Sequence, residues 1–274
     1  MTQDNHPLMT SLYLHERSWV GVQENLKVND IALIPVGAIE QHGAHTPHML
    51  DTCWATAMAE GIAAATGAII APPIYCGWST GHMAYPGTIT IRASVLCDYI
   101  VDVARSLMIN GYRKFVIING NRVANLPPLI EAALKIRLNH GAWAGCLDSG
   151  LTTIKETSAL VYQPGGLEHA GDAETSFLLA YRPDLVDMSK AEAQPPCPNP
   201  DAADIYEEGP LLFPPFFPAW EEGAASAPHM TTAKYATAEK GRAILNELIA
   251  KSVAYVEVIG NRPVGPLRNL DVPI

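Results

Sequence analysis

Residues Ile31 to Val36 read IALIPV, and residues Gly37 to Asp51 that follow read GAIEQHGAHTPHMLD. A short apolar run that ends abruptly in a polar, glycine-containing stretch has the form of a strand buried on both faces. The chain around it repeats the theme. Thr52 to Ala65 is Ala-rich and reads as a helix stopped near Gly67, and AIIA (Ala68 to Ala71) reads as a second strand before Pro72-Pro73. Ala93 to Ile109 has helical periodicity and stops at Asn110-Gly111; Phe115 to Ile118 (FVII) is a third strand ended by Asn119-Gly120. Leu129 to Asn139 reads as a helix, Ala142 to Leu147 as a fourth strand, Ala173 to Tyr181 as a helix closed by Pro183, and Thr232 to Val258 as a long C-terminal helix. Short apolar strands alternating with helices predict an α/β protein with a parallel or mostly parallel sheet covered on both faces. No internal repeat is present.

Composition bounds the function. The chain has 274 residues, 48% hydrophobic and 17% charged, which fits one large domain or two small ones with a sizeable core and excludes a disordered chain. No apolar run reaches the ~18–20 residues of a spanning helix, and the polar N-terminal stretch lacks a secretory pattern. The formal net charge is −10. An acidic chain without a basic run is a poor partner for nucleic acid or an anionic membrane. The expectation is a cytoplasmic protein acting on a small molecule. Cys53, Cys76, Cys97, Cys146 and Cys197 are scattered with no CxxC pair, so small buried hydrophobes are expected rather than a thiolate metal site or disulfides. From Pro195 to Pro218 stand 8 of the 22 prolines, with Phe213, Phe216, Phe217 and Trp220 within or beside them. Such a segment cannot form regular ladders. It reads as an irregular excursion over about 195–220, either surface-packed or functional as a lid or a contact between subunits, the last favoured because exposed aromatics call for cover.

In α/β sheets ligands collect at the carboxyl ends of strands. Polar residues crowd those positions here. If the backbone is extended at Glu40 and His42, residues two apart point the same way. A carboxylate and an imidazole side by side suit a divalent ion such as zinc or manganese. Asp51, nine residues past His42 and just before a helical run, admits two roles, helix N-cap and metal ligand. His45 and His48 read as solvent-facing or as supports for the ligands. Glu174 falls in a first helical turn, where the dipole alone favours an acid. His169 stands near it in EHAGDAETS, and an imidazole beside a reactive water is suited to moving protons. The second loop, GWSTGHMAYPGT, carries Ser79, His82 and Tyr85, with His82 either catalytic or a structural hydrogen-bonding histidine.

GAIEQHGAHTPHMLD, GHMAYPGT, NGN, EHAGDAETS with YRPDLVDM, and the later SAPHMTTAKYATAEKGRAI together resemble the creatininase (creatinine amidohydrolase) family, in the family's order, over roughly Ile31 to Ile244. The resemblance implies a single three-layer α/β/α sandwich domain over residues 1–274, assembled as a homo-oligomer, with a hexamer favoured. It implies metal-dependent hydrolysis with zinc or manganese, iron being a further choice, and one or two ions per chain. Glu40, His42 and Asp51 match metal ligands, with Asp51 as a bridge. Glu174 matches a further ligand, and His169 matches the catalytic histidine.

One element departs from the family. Where the resemblance implies Asn-Gly-His after the third strand, this chain has Asn119-Gly120-Asn121, followed by Arg122 and Val123. An amide oxygen is a weaker zinc ligand than imidazole, so Asn121 is a weak candidate for the metal set. Arg122 adds a charge that could bind a substrate carboxylate or stabilise an oxyanion, unless it forms a surface ion pair. The expected reaction is ring opening of a small polar cyclic substrate. A cyclic amide is one candidate, and a cyclic polyol diketone of the dehydro-inosose type, from inositol catabolism, is the other. The alternative is a non-catalytic binding protein on a decayed version of the fold.

Overall fold

A computed structural model describes residues 6–121, 124–148, 154–192 and 230–268. Among these residues, four strands form one parallel sheet in the order β2-β1-β3-β4: β1 Ile31–Val36, β2 Ile69–Ile70, β3 Lys114–Asn119 and β4 Trp143–Asp148. The central pair runs in register from Ile31 opposite Lys114 to Val36 opposite Asn119. Among the described residues, seven α-helices accompany it: α1 Pro7–Thr10, α2 Trp19–Leu26, α3 Leu50–Thr66, α4 Ala93–Asn110, α5 Leu126–His140, α6 Asp172–Tyr181 and α7 Ala238–Gly260.

The alternation of β1 assigns the layers. Ile31 and Leu33 join a core with residues of α3, α6 and α7, whereas Ala32, Ile34 and Val36 join a second core with α4 and α5. Every β1 residue is buried, as expected of a strand covered on both faces. The fold is the three-layer α/β/α sandwich expected from the sequence. Gly67 and Gly141 end α3 and α5 in the left-handed region (φ 73° and 72°), which a side chain would disfavour.

Some boundaries differ from the sequence reading, each for a local reason. Asp51 is not the N-cap of α3: that position is Met49, and Asp51 lies inside the first turn. α5 begins ahead of Pro127 and Pro128, because a first helical turn does not need their N–H groups. The C-terminal helix is split. A 3-10 turn over Thr231–Tyr235 precedes α7, and Thr237 between them is extended (φ −141°), with its backbone N–H donating to Ser176 Oγ and its side chain capping Lys240 N. Helices α1 and α2 carry too short a periodic signal to stand out in the sequence. Among the described residues no helix is long and apolar enough to cross a membrane. Arg122, Cys197 and the proline- and aromatic-rich segment lie outside the described residues.

Candidate metal centre

β2 and β3 flank β1 on opposite sides, so the chain changes direction of travel across the sheet at β1 and β3. Such a switch point opens a crevice at the carboxyl ends of the strands. Glu40 and His42 follow β1, and Asn121 follows β3. The start of α3 is drawn tightly into the same crevice. A Cβ on Gly120 would overlap the carbonyl oxygen of Asp51, and one on Gly37 would overlap the Thr52 backbone. α6 brings Glu174 from the other side. Trp54 of α3 packs on Phe177 of α6 with ring centroids 4.4 Å apart, both buried. Burial of each ring contributes about 2–3 kcal/mol to holding the two helix starts together.

The geometry around His42 is that of a ligand awaiting a cation. Its Nδ1 lies 3.1 Å from the backbone oxygen of Glu40, which can only accept, so Nδ1 carries the proton. Nε2 is then the ring nitrogen left to meet a cation, whether a metal ion or a second proton. It faces Asp51 Oδ1 at 3.2 Å and Glu174 Oε2 at 3.9 Å, is fully buried, and makes no hydrogen bond. Glu40 Oε2 is likewise buried without a partner. Donor atoms of Glu40, His42 and Asp51 converge within 4.8 Å of one another, as do those of His42, His169 and Glu174, and those of Glu40, His82 and His169. Nitrogen and oxygen ligands around a tetrahedral ion at about 2.0–2.2 Å sit about 3.3–3.6 Å apart. A ligating histidine also typically donates its other N–H to a backbone carbonyl. The residues therefore fit a divalent metal ion.

The electrostatics agree. Burial alone would lower the His42 pKa, but Asp51, Glu174 and Glu40 push it up to about 10, so the cluster demands positive charge at Nε2. Burial and then the Asp51 carboxylate raise Glu40 well above the carboxylate range. Burial, followed by charge on His42, lowers His82 to about 3 and His45 to about 4, and it holds His169 well below its ordinary value.

Gln41, which the sequence reading passed over, organises the histidines. Its Oε1 accepts from Gly43 N at 2.9 Å, which turns Nε2 toward His82 Nδ1 at 3.1 Å. His82 must then carry its proton on Nε2, 3.3 Å from Glu40 Oε1. The backbone oxygen of Gln41 lies 2.6 Å from His169 Nε2, so that nitrogen also donates and Nδ1 is left as the acceptor. His169 is sandwiched between the His42 and His82 rings, at 4.3 and 4.5 Å. His45 is buried with Nε2 2.9 Å from Thr175 Oγ1, a support for the Glu174 turn, while His48 binds the Pro86 carbonyl. Asn125, also fully buried, ties the loops together through Gly37 O and Trp78 N. The sequence reading assigns no role to Gln41 or Asn125, because their roles depend on loops distant in the chain.

Of the residues proposed from sequence, Glu40, His42, Asp51, Glu174, His169 and His82 all meet in this crevice. Asn121 reaches it too, but presents its amide nitrogen to Asp51 Oδ2 at 3.0 Å.

The family profile described as creatinine amidohydrolase matches residues 15–256. Creatinine amidohydrolase of Pseudomonas putida is 28% identical over 264 residues, covering 89% of this chain and 95% of that protein. The 3-dehydro-scyllo-inosose hydrolase of Thermotoga maritima is 30% identical over 221 residues, covering 77% and 68%. A crystal structure of creatinine amidohydrolase superposes with a TM-score of 0.71 at 25% identity, over 92% of this chain and 99% of that one. Sequence profile, fold and the convergent donor set agree, and the chain belongs to the creatininase family of hydrolases.

Proposed function

We propose that this protein is a metal-dependent hydrolase that opens a small, polar cyclic substrate, either a cyclic amide or a cyclic polyol diketone. The observation that carries the reading is His42 Nε2, buried, without a hydrogen-bond partner and facing the Asp51 and Glu174 carboxylates. His42, Asp51, Glu174 and Glu40 would hold the ion. When bound there, a divalent ion supplies Lewis acidity and an acidified water at neutral pH. Solved creatininases include a manganese form and a zinc–zinc form, which supports zinc or manganese here. One or two ions per chain are compatible with the donors.

The chain's own residues supply the rest. His169, with Nε2–H held by the Gln41 carbonyl, takes and returns a proton at Nδ1, delivering it to the leaving atom of the opened ring. His82, held by Gln41 and turned toward Glu40, fixes that carboxylate and lines the pocket. Arg122 follows Asn121 in the chain and would stabilise an oxyanion or bind a substrate carboxylate. We further propose a single domain over residues 1–274, a cytoplasmic location and a homo-oligomer, with a hexamer favoured and the segment at about 195–220 as a subunit contact. The relative from Thermotoga maritima, named for a cyclic inosose, supports the diketone and a place in inositol catabolism. The relative from Pseudomonas putida, named for creatinine, supports the cyclic amide.

The test is turnover by metal-loaded protein on a panel of cyclic amides, lactams and cyclic diketones. The reading expects ring opening of at least one, abolished in His169→Ala while metal stays bound. Metal binding without turnover on any member would favour the non-catalytic alternative.

A further inference from the structure

Asn121 stands at the heart of the crevice, yet its lone pairs point away from it. Its Oδ1 accepts from the backbone N–H of Ala124 at 3.1 Å and of Asn125 at 3.4 Å. Its own N–H donates to Asn119 Oδ1 at 3.1 Å. The two contacts to Oδ1 fix the orientation of the side-chain amide. Turned over, it would set an NH2 group against two backbone donors and an oxygen against a carboxylate. The remaining contact, Nδ2–H to Asp51 Oδ2 at 3.0 Å, is therefore a donor to a buried anion. Asp51 thus has its two oxygens assigned to different tasks: Oδ2 is held by Asn121, and Oδ1 faces His42 Nε2 at 3.2 Å.

We propose that Asn121 is a positioning residue that occupies one oxygen of Asp51, so that Asp51 serves one divalent ion and the centre binds a single ion per chain. A carboxylate that bridges two cations through its two oxygens needs a lone pair of each, and a charge-assisted N–H bond competes for one oxygen and fixes the angle of the other. This inference rests on the proposed metal-dependent function and narrows it to a one-ion centre.

Elemental analysis of protein saturated with zinc or manganese and then desalted gives the count directly. The expected result is close to one ion per chain; two would overturn the proposal while leaving the hydrolase reading intact, and none would sink that reading itself. Asn121→Ala keeps every ligand and loses the clamp. Its affinity for zinc, measured by competition with a chromophoric chelator, should fall about 10–100-fold; unchanged affinity would overturn the proposal. Asn121→Asp keeps the acceptor for Ala124 and Asn125 but sets a second carboxylate against Asp51 with no donor between them. It should take up a second equivalent of ion, and a variant indistinguishable from wild type in count and affinity would show that Asn121 only holds its own loop.

Discussion

Two buried acidic sites in this protein differ in one respect. Glu247 of α7 is buried and saturated. It accepts from the backbone N–H groups of Lys155, Glu156 and Thr157 and from the Thr157 hydroxyl, and it pairs with Lys251. Glu40, His42 and Asp51 are equally buried, but Glu40 Oε2 and His42 Nε2 have no hydrogen-bond partner. Buried polar groups are normally satisfied because an unpaired one costs about 1–3 kcal/mol, more when charged. The first site closes a structural clasp between α7 and the 155–157 turn. The second leaves its atoms open toward one point, which is what a ligand requires.

That contrast makes predictions of opposite sign. The largest effect is expected at the open site. His42→Ala should lose bound divalent metal and lower turnover at least ~1000-fold, beyond the 10–100-fold of an outer-shell change; metal analysis and kinetics check it. Next comes the clasp. Glu247→Gln should destabilise the protein by about 2–3 kcal/mol in urea denaturation, because it weakens several bonds to a charged acceptor and strands Lys251. The same residue sets a pH dependence. Burial would raise its pKa, but Lys251 and the N–H and hydroxyl donors outweigh it and hold Glu247 far below the carboxylate range. The unfolded chain therefore takes up a proton near pH 4.3 that the folded protein refuses. The contribution is present above that pH and is lost as pH falls below it, so wild type should lose more stability than Glu247→Gln on acidification past about pH 4. A smaller effect of reversed sign is expected in metal-stripped protein at Glu40. Glu40→Gln should be neutral or stabilising by about 1 kcal/mol, since it removes an uncompensated buried acid. The smallest concerns strain. Ala170, beside His169, is held at φ 53° while its N–H donates to Glu174 Oε2 at 2.7 Å. Ala170→Gly should stabilise the fold by about 0.5–1 kcal/mol, read as a shift in thermal midpoint.

Much of this was legible in the sequence, for physical reasons that also explain what was not. β1 announces itself because a strand buried on both faces is apolar at every position. Glu40, His42, Asp51, His169 and Glu174 could be singled out because strand ends and helix starts are where α/β sheets gather ligands. The role of Gln41 was invisible: its significance lies in Gly43 on one side and in His82 and His169 on the other, contacts that no local pattern encodes. Asp51 reads as an N-cap because its neighbours look helical only from Thr52, whereas the helix begins at Leu50. Asn121 reads as a weakened ligand, and only the backbone donors of Ala124 and Asn125 reveal that its oxygen is already taken.

The central claim is that the crevice at the ends of β1 and β3 is built around a cation. Thermal unfolding of metal-stripped protein, with and without added zinc or manganese, tests it most directly. A ligand that binds only the folded state at 100 times its Kd stabilises by about 2.7 kcal/mol, enough to move the midpoint by several degrees. The account predicts such a rise for wild type and none for His42→Ala. An unmoved wild-type midpoint, or an equal rise in both proteins, would contradict it.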